Sequence, residues 1–121
     1  MKYILLVHHD EVSFRMRPEA ERDGMLQESV ALCHQLHARG HYLGAAPLHP
    51  SSETVCVRVR EGQPVVTDGP FAETREQLGG YFLVDARDRE EAILIAAQIP
   101  GARIGTVEIR PVPEVPGLPG S

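Results

Sequence analysis

The chain of 121 residues is long enough for one hydrophobic core but too short for two domains. A hydrophobic content of 42% with 24% charged residues is typical of a globular protein and excludes wholesale disorder. The net charge is −5 without any basic cluster, and no apolar run reaches the roughly 20 residues that cross a bilayer. We therefore expect neither direct nucleic-acid binding nor a membrane partner.

Two features of the sequence predict a cytoplasmic protein. The apolar residues 3–7 are followed by His-His-Asp-Glu and not by a small-residue cleavage site, which is not typical of a signal peptide. Cys33 and Cys56 lie in apolar segments without a Cys-x-x-Cys spacing. This favours two small buried side chains in a reducing compartment over a redox pair or a zinc site.

The first part of the chain predicts a strand, a long helix and a second strand. Residues 2–8 are apolar and too few for a stable helix, so they predict a strand. Pro18 is compatible with a first helical turn, and Gly40 is typical of the residue that follows a helix. Residues 42–46 predict the next strand, which Pro47 ends.

Within this helix, residues at three- and four-residue steps predict one face packed against a core. The stripe consists of Met25, Leu26, Ser29, Val30, Cys33, Leu36 and His37.

The second part of the chain predicts a hairpin, a strand, a helix and a last strand. Residues 54–60 have valines at every second position and arginines next to the last of them, and a turn at 61–62 joins them to a short strand at 64–67. After a loop that ends in Gly-Gly, residues 81–86 predict a buried strand. The last strand is predicted at 105–112, so the domain spans 1–112.

A capping-box pattern begins the second helix, with Asp88 at the cap and Glu91 three residues later. The residues expected on its inner face are Ala92, Ile93, Ala96 and Ile99. Residues 113–121, with three prolines and two glycines, predict a flexible tail.

This order of elements predicts an α+β fold, a ferredoxin-like split βαβ sandwich with an added hairpin. Two helices cover one face of an antiparallel sheet and leave the other face bare. Because the strands are too apolar for both faces to be wet, we predict that the bare face packs on a second copy in a C2 homodimer.

The sequence between residues 66 and 81, which contains Asp-Gly-Pro-Phe at 68–71, resembles the signature of the DGPF branch of the YCII-related family. Residues 1–11 and 99–111 also resemble this family, so the resemblance covers roughly residues 1–113. It implies a ferredoxin-like, dimeric α+β barrel but no particular reaction. A His and an Asp in a cleft suggest enzymatic activity for the wider family, and some relatives are linked to extracytoplasmic-function sigma factors.

The loop after the hairpin is the first candidate site. A carboxylate on a rigid turn, as at Asp68, is suited to act as a general base or to bind a substrate hydroxyl. The candidate substrate-binding residues around it are Phe71, Glu73 and Tyr81. The structural alternative is that Asp68 accepts hydrogen bonds within its own turn, while Glu73 and Glu76 are solvated.

His8 and His9 at the end of the first strand are the other candidate catalytic residues. A histidine beside a carboxylate transfers protons near neutral pH. Because side chains alternate along a strand, at most one of the two points into a given cleft. We expect His8 or His9 to pair with Asp68; the alternative is a solvated histidine at a polar strand end.

The sequence predicts no cofactor and no metal. His34 and His37 share a helix face, but no carboxylate lies at a useful spacing from them. The glycines form neither a dinucleotide fingerprint nor a phosphate-binding loop, and the serines form no nucleophile elbow.

Two functions follow from these patterns. The first is a small-molecule-binding protein or enzyme with His/Asp acid–base chemistry in a cleft at residues 68–73, and it predicts a concave pocket that contains a carboxylate with a perturbed pKa. The alternative is a non-enzymatic regulatory or interaction module associated with sigma-factor-linked transcription. It predicts an exposed apolar patch and carboxylates bonded within turns.

Overall fold

The computed structural model describes residues 1–120 and contains a four-stranded sheet, a separate hairpin and three α-helices. The strands are β1 (Lys2–His9), β2 (Tyr42–Pro47), β3 (Val55–Arg60), β4 (Gln63–Asp68), β5 (Gln77–Asp85) and β6 (Thr106–Val112). The helices are α1 (Glu11–Arg15), α2 (Glu19–Ala38) and α3 (Arg89–Ala96), and 3₁₀ turns lie at Ser51–Glu53 and Pro100–Arg103. Residues 113–120 follow without helix or strand, and Ser121 of the predicted tail lies outside the described residues.

The sheet has the strand order β2-β5-β1-β6, and each neighbouring pair is antiparallel. This is the order that two interlocked split βαβ units produce, with α2 and α3 as the crossover helices. The predicted α+β, ferredoxin-like fold with an added hairpin is confirmed. Helix α1 was not predicted; it begins where the Asp10 carboxylate accepts hydrogen bonds from the backbone N–H groups of Val12 and Ser13.

The hydrophobic core lies between the sheet and the two long helices. Along β1, the odd-numbered side chains turn inward and alternate residues are only half-buried. The buried core consists of Tyr3, Leu5, Val7, Leu32, Leu36, Phe82, Val84, Ala86, Ala92, Ile95, Ala96 and Ile99. Burying a leucine such as Leu5 stabilises the fold by about 2 kcal/mol.

Helix α2 contacts the core with only its C-terminal half. Leu32 and Leu36 are buried one turn apart, whereas Leu26 and Val30 remain 49% and 43% exposed. The predicted core-facing stripe is therefore wrong for its first half. Those residues face an open groove because the end of β1 and the Pro100–Arg103 turn do not fill the space beneath them.

Helix α3 begins at the predicted cap, where Asp88 accepts a hydrogen bond of 2.9 Å from the Glu91 backbone N–H. Its inner face differs from the predicted one at one position: Ile95 is buried at 3% exposure, whereas the expected Ile93 is 37% exposed. The helix ends at Ala96, and Ile99 reaches the core from the segment after it.

The hairpin of β3 and β4 forms a sheet of its own, joined by a turn with positive φ at Glu61 and Gly62. Pairing of Val57 with Val66 and of Val59 with Pro64 places one apolar face on this hairpin. The face is uncovered, since its valines at 55, 57, 59 and 66 are each at least 59% exposed. No helix within residues 1–120 is long and apolar enough to span a membrane.

Candidate functional site

The two histidines at the end of β1 lie on opposite faces of the sheet. His9 continues the inward series of Tyr3, Leu5 and Val7, while His8 lies with the outward residues. The Nε2 atom of His8 lies 3.0 Å from Oε1 of Glu108, a residue of β6 that pairs with Leu6. His9 is therefore the one that enters the cleft on the helix side.

A β-bulge makes room for the ring of His9. Val7 pairs with Gly80 and His8 pairs with Leu78, so Gly79 has no counterpart on β1. A Cβ atom added to Gly79 would overlap Cε1 of His9 and would lie 2.7 Å from its Nδ1. The ring and a side chain at residue 79 cannot occupy the same space. The ring of His9 also lies 4.8 Å from that of Phe14, centroid to centroid.

A large apolar groove of about 870 Å³ opens between α2 and the sheet. Its volume lies within the range of small-molecule sites. Helix α2 forms one wall and includes the charged residues Arg22 and Asp23. The rest of the lining comes from β1, β2, β5, helix α1 with Arg15, and the segments around Pro50 and Pro100. His9 and Glu11 bring polar atoms to this groove at the end of β1.

A smaller polar cavity of about 280 Å³ adjoins the groove. It is lined by His9, Asp10, Ser13, Phe14, Arg17, Arg75, Glu76 and Ile104. His9, Phe14 and Ile104 line both cavities, so the two spaces meet at these side chains.

The polar side chains of this cavity differ in what they already bind. Asp10 caps α1, and Arg17 forms an ion pair of 2.6 Å with Glu21. Oε1 of Glu76 accepts a hydrogen bond of 2.8 Å from the hydroxyl of Thr106. In the described part of the chain, the guanidinium of Arg75 has neither an ion-pair nor a hydrogen-bond partner.

Burial lowers the pKa of His9 below its ordinary value of 6.5, because the charged imidazolium loses hydration there. The carboxylates of Glu11, Glu76 and Asp10 act in the opposite direction without reversing the shift. His9 is therefore neutral at neutral pH and lies beside groups that would stabilise its protonated form. This is the electrostatic arrangement of a proton acceptor.

Hydrogen bonds from α1 to its neighbours hold the surroundings of His9 in place. The carboxylate of Glu11 accepts hydrogen bonds from the backbone N–H and the hydroxyl of Ser51, at 2.8 and 2.7 Å. The backbone N–H of Glu11 donates to Oε1 of Gln77 on β5. Helix α1 is thus tied to the loop before β3 and to the strand that carries the bulge.

The loop of residues 68–73, which was predicted as a site, lies outside both cavities. Asp68 ends β4 opposite Val55, and neither cavity is lined by Asp68, Phe71 or Glu73. Phe71 is 83% exposed. Over residues 1–120 the Asp68 carboxylate makes no hydrogen bond, so the turn bonds of the structural alternative are also absent.

Tyr81 and the two helix histidines complete the set of residues singled out from the sequence. Tyr81 pairs with Leu6 on the sheet and is one of the residues that line the groove. His34 and His37 line the groove at α2. Among residues 1–120, no group of three or more His, Cys, Asp and Glu side chains is arranged to hold a metal ion.

The sequence did not single out Arg75 as a site residue, and it placed Glu76 in the acidic loop, with a solvated side chain as the structural alternative. Both lie inside the signature segment 66–81, directly before β5, and that proximity to Gly79 was the available signal. The sequence pattern did not predict the β-bulge at Gly79, which turns this end of β5 toward His9.

Two comparisons relate the chain to known proteins. The family model of the YCII-related domain matches residues 1–116. The uncharacterised protein R00369 of Rhizobium meliloti (strain 1021) is 31% identical over 114 residues, which cover 93% of this chain and 92% of that protein. Since the family model spans nearly the whole sequence, the chain belongs to the YCII-related domain family.

Proposed function

We propose that this YCII-related protein binds a small molecule in the cleft at the end of β1 and that His9 is the acid–base group of the site. One observation supports this most directly. Of the three residues that line both cavities, His9 alone titrates, and burial lowers its pKa next to carboxylates. A perturbed titratable group in a concave site is the pattern of a functional centre.

In this proposal the neutral imidazole of His9 accepts a proton from a ligand group that lies against it. The imidazolium that forms is stabilised by Glu76, whose Oε1 is held by Thr106. Glu11 and Asp10 also stabilise the imidazolium, Glu11 the most of the three, and their carboxylates are held by Ser51 and by the first turn of α1.

The test is a thermal-shift screen of metabolites and anions against the wild type, His9→Gln and His49→Gln. His49 is a suitable control because its side chain is 85% exposed and lines neither cavity. A ligand at a hundredfold excess over its dissociation constant stabilises the fold by about 2.7 kcal/mol. We expect hits that disappear in His9→Gln and persist in His49→Gln.

Asp68→Asn tests the competing location at residues 68–73. Hits that survive His9→Gln and disappear in Asp68→Asn would contradict the site at His9. They would place the chemistry at the exposed loop, with Phe71 and Glu73 as its substrate-binding residues.

The second candidate function is an interaction module, and the uncovered valine face of the hairpin favours it. Val57 and Val59 are 61% and 63% exposed on a flat two-stranded surface, and the ring of Phe71 in the loop after it is also exposed. Contiguous apolar surface of this kind is a common feature of protein-binding sites. Val57→Lys would abolish an interaction through this face and leave small-molecule hits unchanged.

Homodimerisation, the DGPF branch and a cytoplasmic location are further parts of the proposal. Ile4, Leu6 and Leu83 form an apolar strip on the open sheet face and are only half-buried in the single chain, which supports a second copy. The Asp-Gly-Pro-Phe sequence at 68–71 supports the branch. The free thiols of Cys33 and Cys56 suit a reducing compartment.

A further inference from the structure

The two cavities that meet at His9 offer opposite chemistry to one ligand. The groove is lined mainly by carbon, with contributions from Val7, Met25, Leu26, Val30, Tyr42 and Ile99. The polar cavity, which meets the groove at His9, Phe14 and Ile104, contains charged side chains. A ligand that fills both must have an apolar body and a polar head.

The hydrogen-bonding state of the polar cavity indicates which head fits. Within the described residues, three of its donors have no hydrogen-bond partner: the guanidinium of Arg75, the hydroxyl of Ser13 and the ring of His9. Its remaining cation, Arg17, is paired with Glu21. Ser13 and Arg75 are exposed, so an acceptor-rich head would replace water at these donors, and Arg75 supplies the charge complement of an anion.

The acidic residues of the cavity are already engaged in part. Two N–H groups at the start of α1 donate to Oδ1 of Asp10, and Thr106 donates to Oε1 of Glu76. These contacts reduce the repulsion that the two carboxylates would exert on an incoming anion. Over residues 1–120, Arg75 is left as the unpaired cation of the cavity.

We propose that the ligand is an amphipathic carboxylate, with its hydrocarbon body in the groove beneath α2 and its carboxylate bound by Arg75 in the polar cavity. The inference rests on the proposed function for the location of the site, but it does not require His9 to transfer a proton. It assigns Arg75 a binding role and gives the exposed half of the α2 stripe its apolar contact.

Calorimetry with decanoate and its neutral counterpart decanol tests the inference. Arg75→Gln is compared with Arg58→Gln, because Arg58 is an exposed arginine of β3 outside both cavities. We expect Arg75→Gln to weaken decanoate binding by about ten- to a hundredfold, as for a lost hydrogen bond to a charged group. Decanol binding and the Arg58→Gln variant should be unchanged.

Val30→Gln places an amide in the groove at a 43% exposed position, where the fold should tolerate it. It should weaken both probes. If the wild type binds decanoate and decanol with equal affinity, and Arg75→Gln does the same, the carboxylate assignment is overturned. The groove would then remain a ligand site without a charged head group. If neither probe binds, or Val30→Gln changes neither affinity, the placement of the apolar body is wrong.

Discussion

The imidazole of His9 occupies the space that a side chain on Gly79 would need, and a Cβ atom at residue 79 would overlap its Cε1. The relationship joins the last residue of β1 to the bulge of β5. It gives the Gly-Gly pair of the signature segment a physical role. Gly79 makes room for the His9 ring, which borders both cavities. A Cβ atom added to Gly80 would lie 2.9 Å from the carbonyl oxygen of Ala46.

Gly79→Ala should displace His9 from the cleft. The clash involves a half-buried ring, so we expect a loss of about 1–3 kcal/mol in the free energy of unfolding. The ligands found in the thermal-shift screen should no longer bind to this variant. Gly44→Ala on β2 is the matched control, because a Cβ there meets nothing within 4 Å. Equal stability and binding of both variants would contradict the steric account.

The lowered pKa of His9 predicts a pH dependence of stability. The unfolded chain, with the ordinary value of 6.5, binds its proton at a higher pH than the folded protein does. The contribution of neutral His9 is therefore complete above pH 6.5 and is lost as the pH falls through the lower folded value. Urea unfolding should show a smaller loss of stability on acidification in His9→Gln than in the wild type. An unchanged slope would contradict the shift.

The division of α2 into a core half and a groove half predicts different effects of two leucine truncations. Leu36 is 1% exposed, so Leu36→Ala should cost about 2–5 kcal/mol in the free energy of unfolding. Leu26 is 49% exposed, and Leu26→Ala should cost less than about 1 kcal/mol while weakening decanoate binding. Denaturant titration and calorimetry measure the two effects. Similar destabilisation by the two variants would show that the whole stripe packs against the core.

The open face of the sheet predicts a homodimer. Leu83→Arg introduces a charge into the strip that also contains Ile4 and Leu6. Light scattering coupled to size-exclusion chromatography should give the mass of two chains for the wild type and of one chain for this variant. A wild-type monomer at micromolar concentration would contradict the predicted interface.

The parts of the fold that depend on local chemistry could be predicted from sequence. The turn at Glu61 and Gly62 and the cap at Asp88 are specified by residues next to them, and both lie where they were expected. Helix α1 was missed because five residues give no periodic signal.

The site depended on contacts between distant segments. Alternation established that His8 and His9 face opposite ways, but not which face α2 and α3 cover. The expected pairing with Asp68 assumed that the hairpin folds back on the end of β1, whereas it forms a separate sheet. Glu76 and Gly79 reach His9 because β5 starts earlier than its apolar residues indicated, at Gln77.

The most direct test of the central claim is a histidine-selective NMR titration of the wild type, Glu76→Gln and His49→Gln, with and without decanoate. The other histidine rings serve as internal references, and His49→Gln helps to assign them. The account predicts a His9 pKa below 6.5 that falls further in Glu76→Gln, since that carboxylate raises it, and a His9 resonance that decanoate shifts. A His9 that titrates at its ordinary pKa and responds neither to Glu76→Gln nor to the ligand would contradict the assignment of this cleft as the functional site.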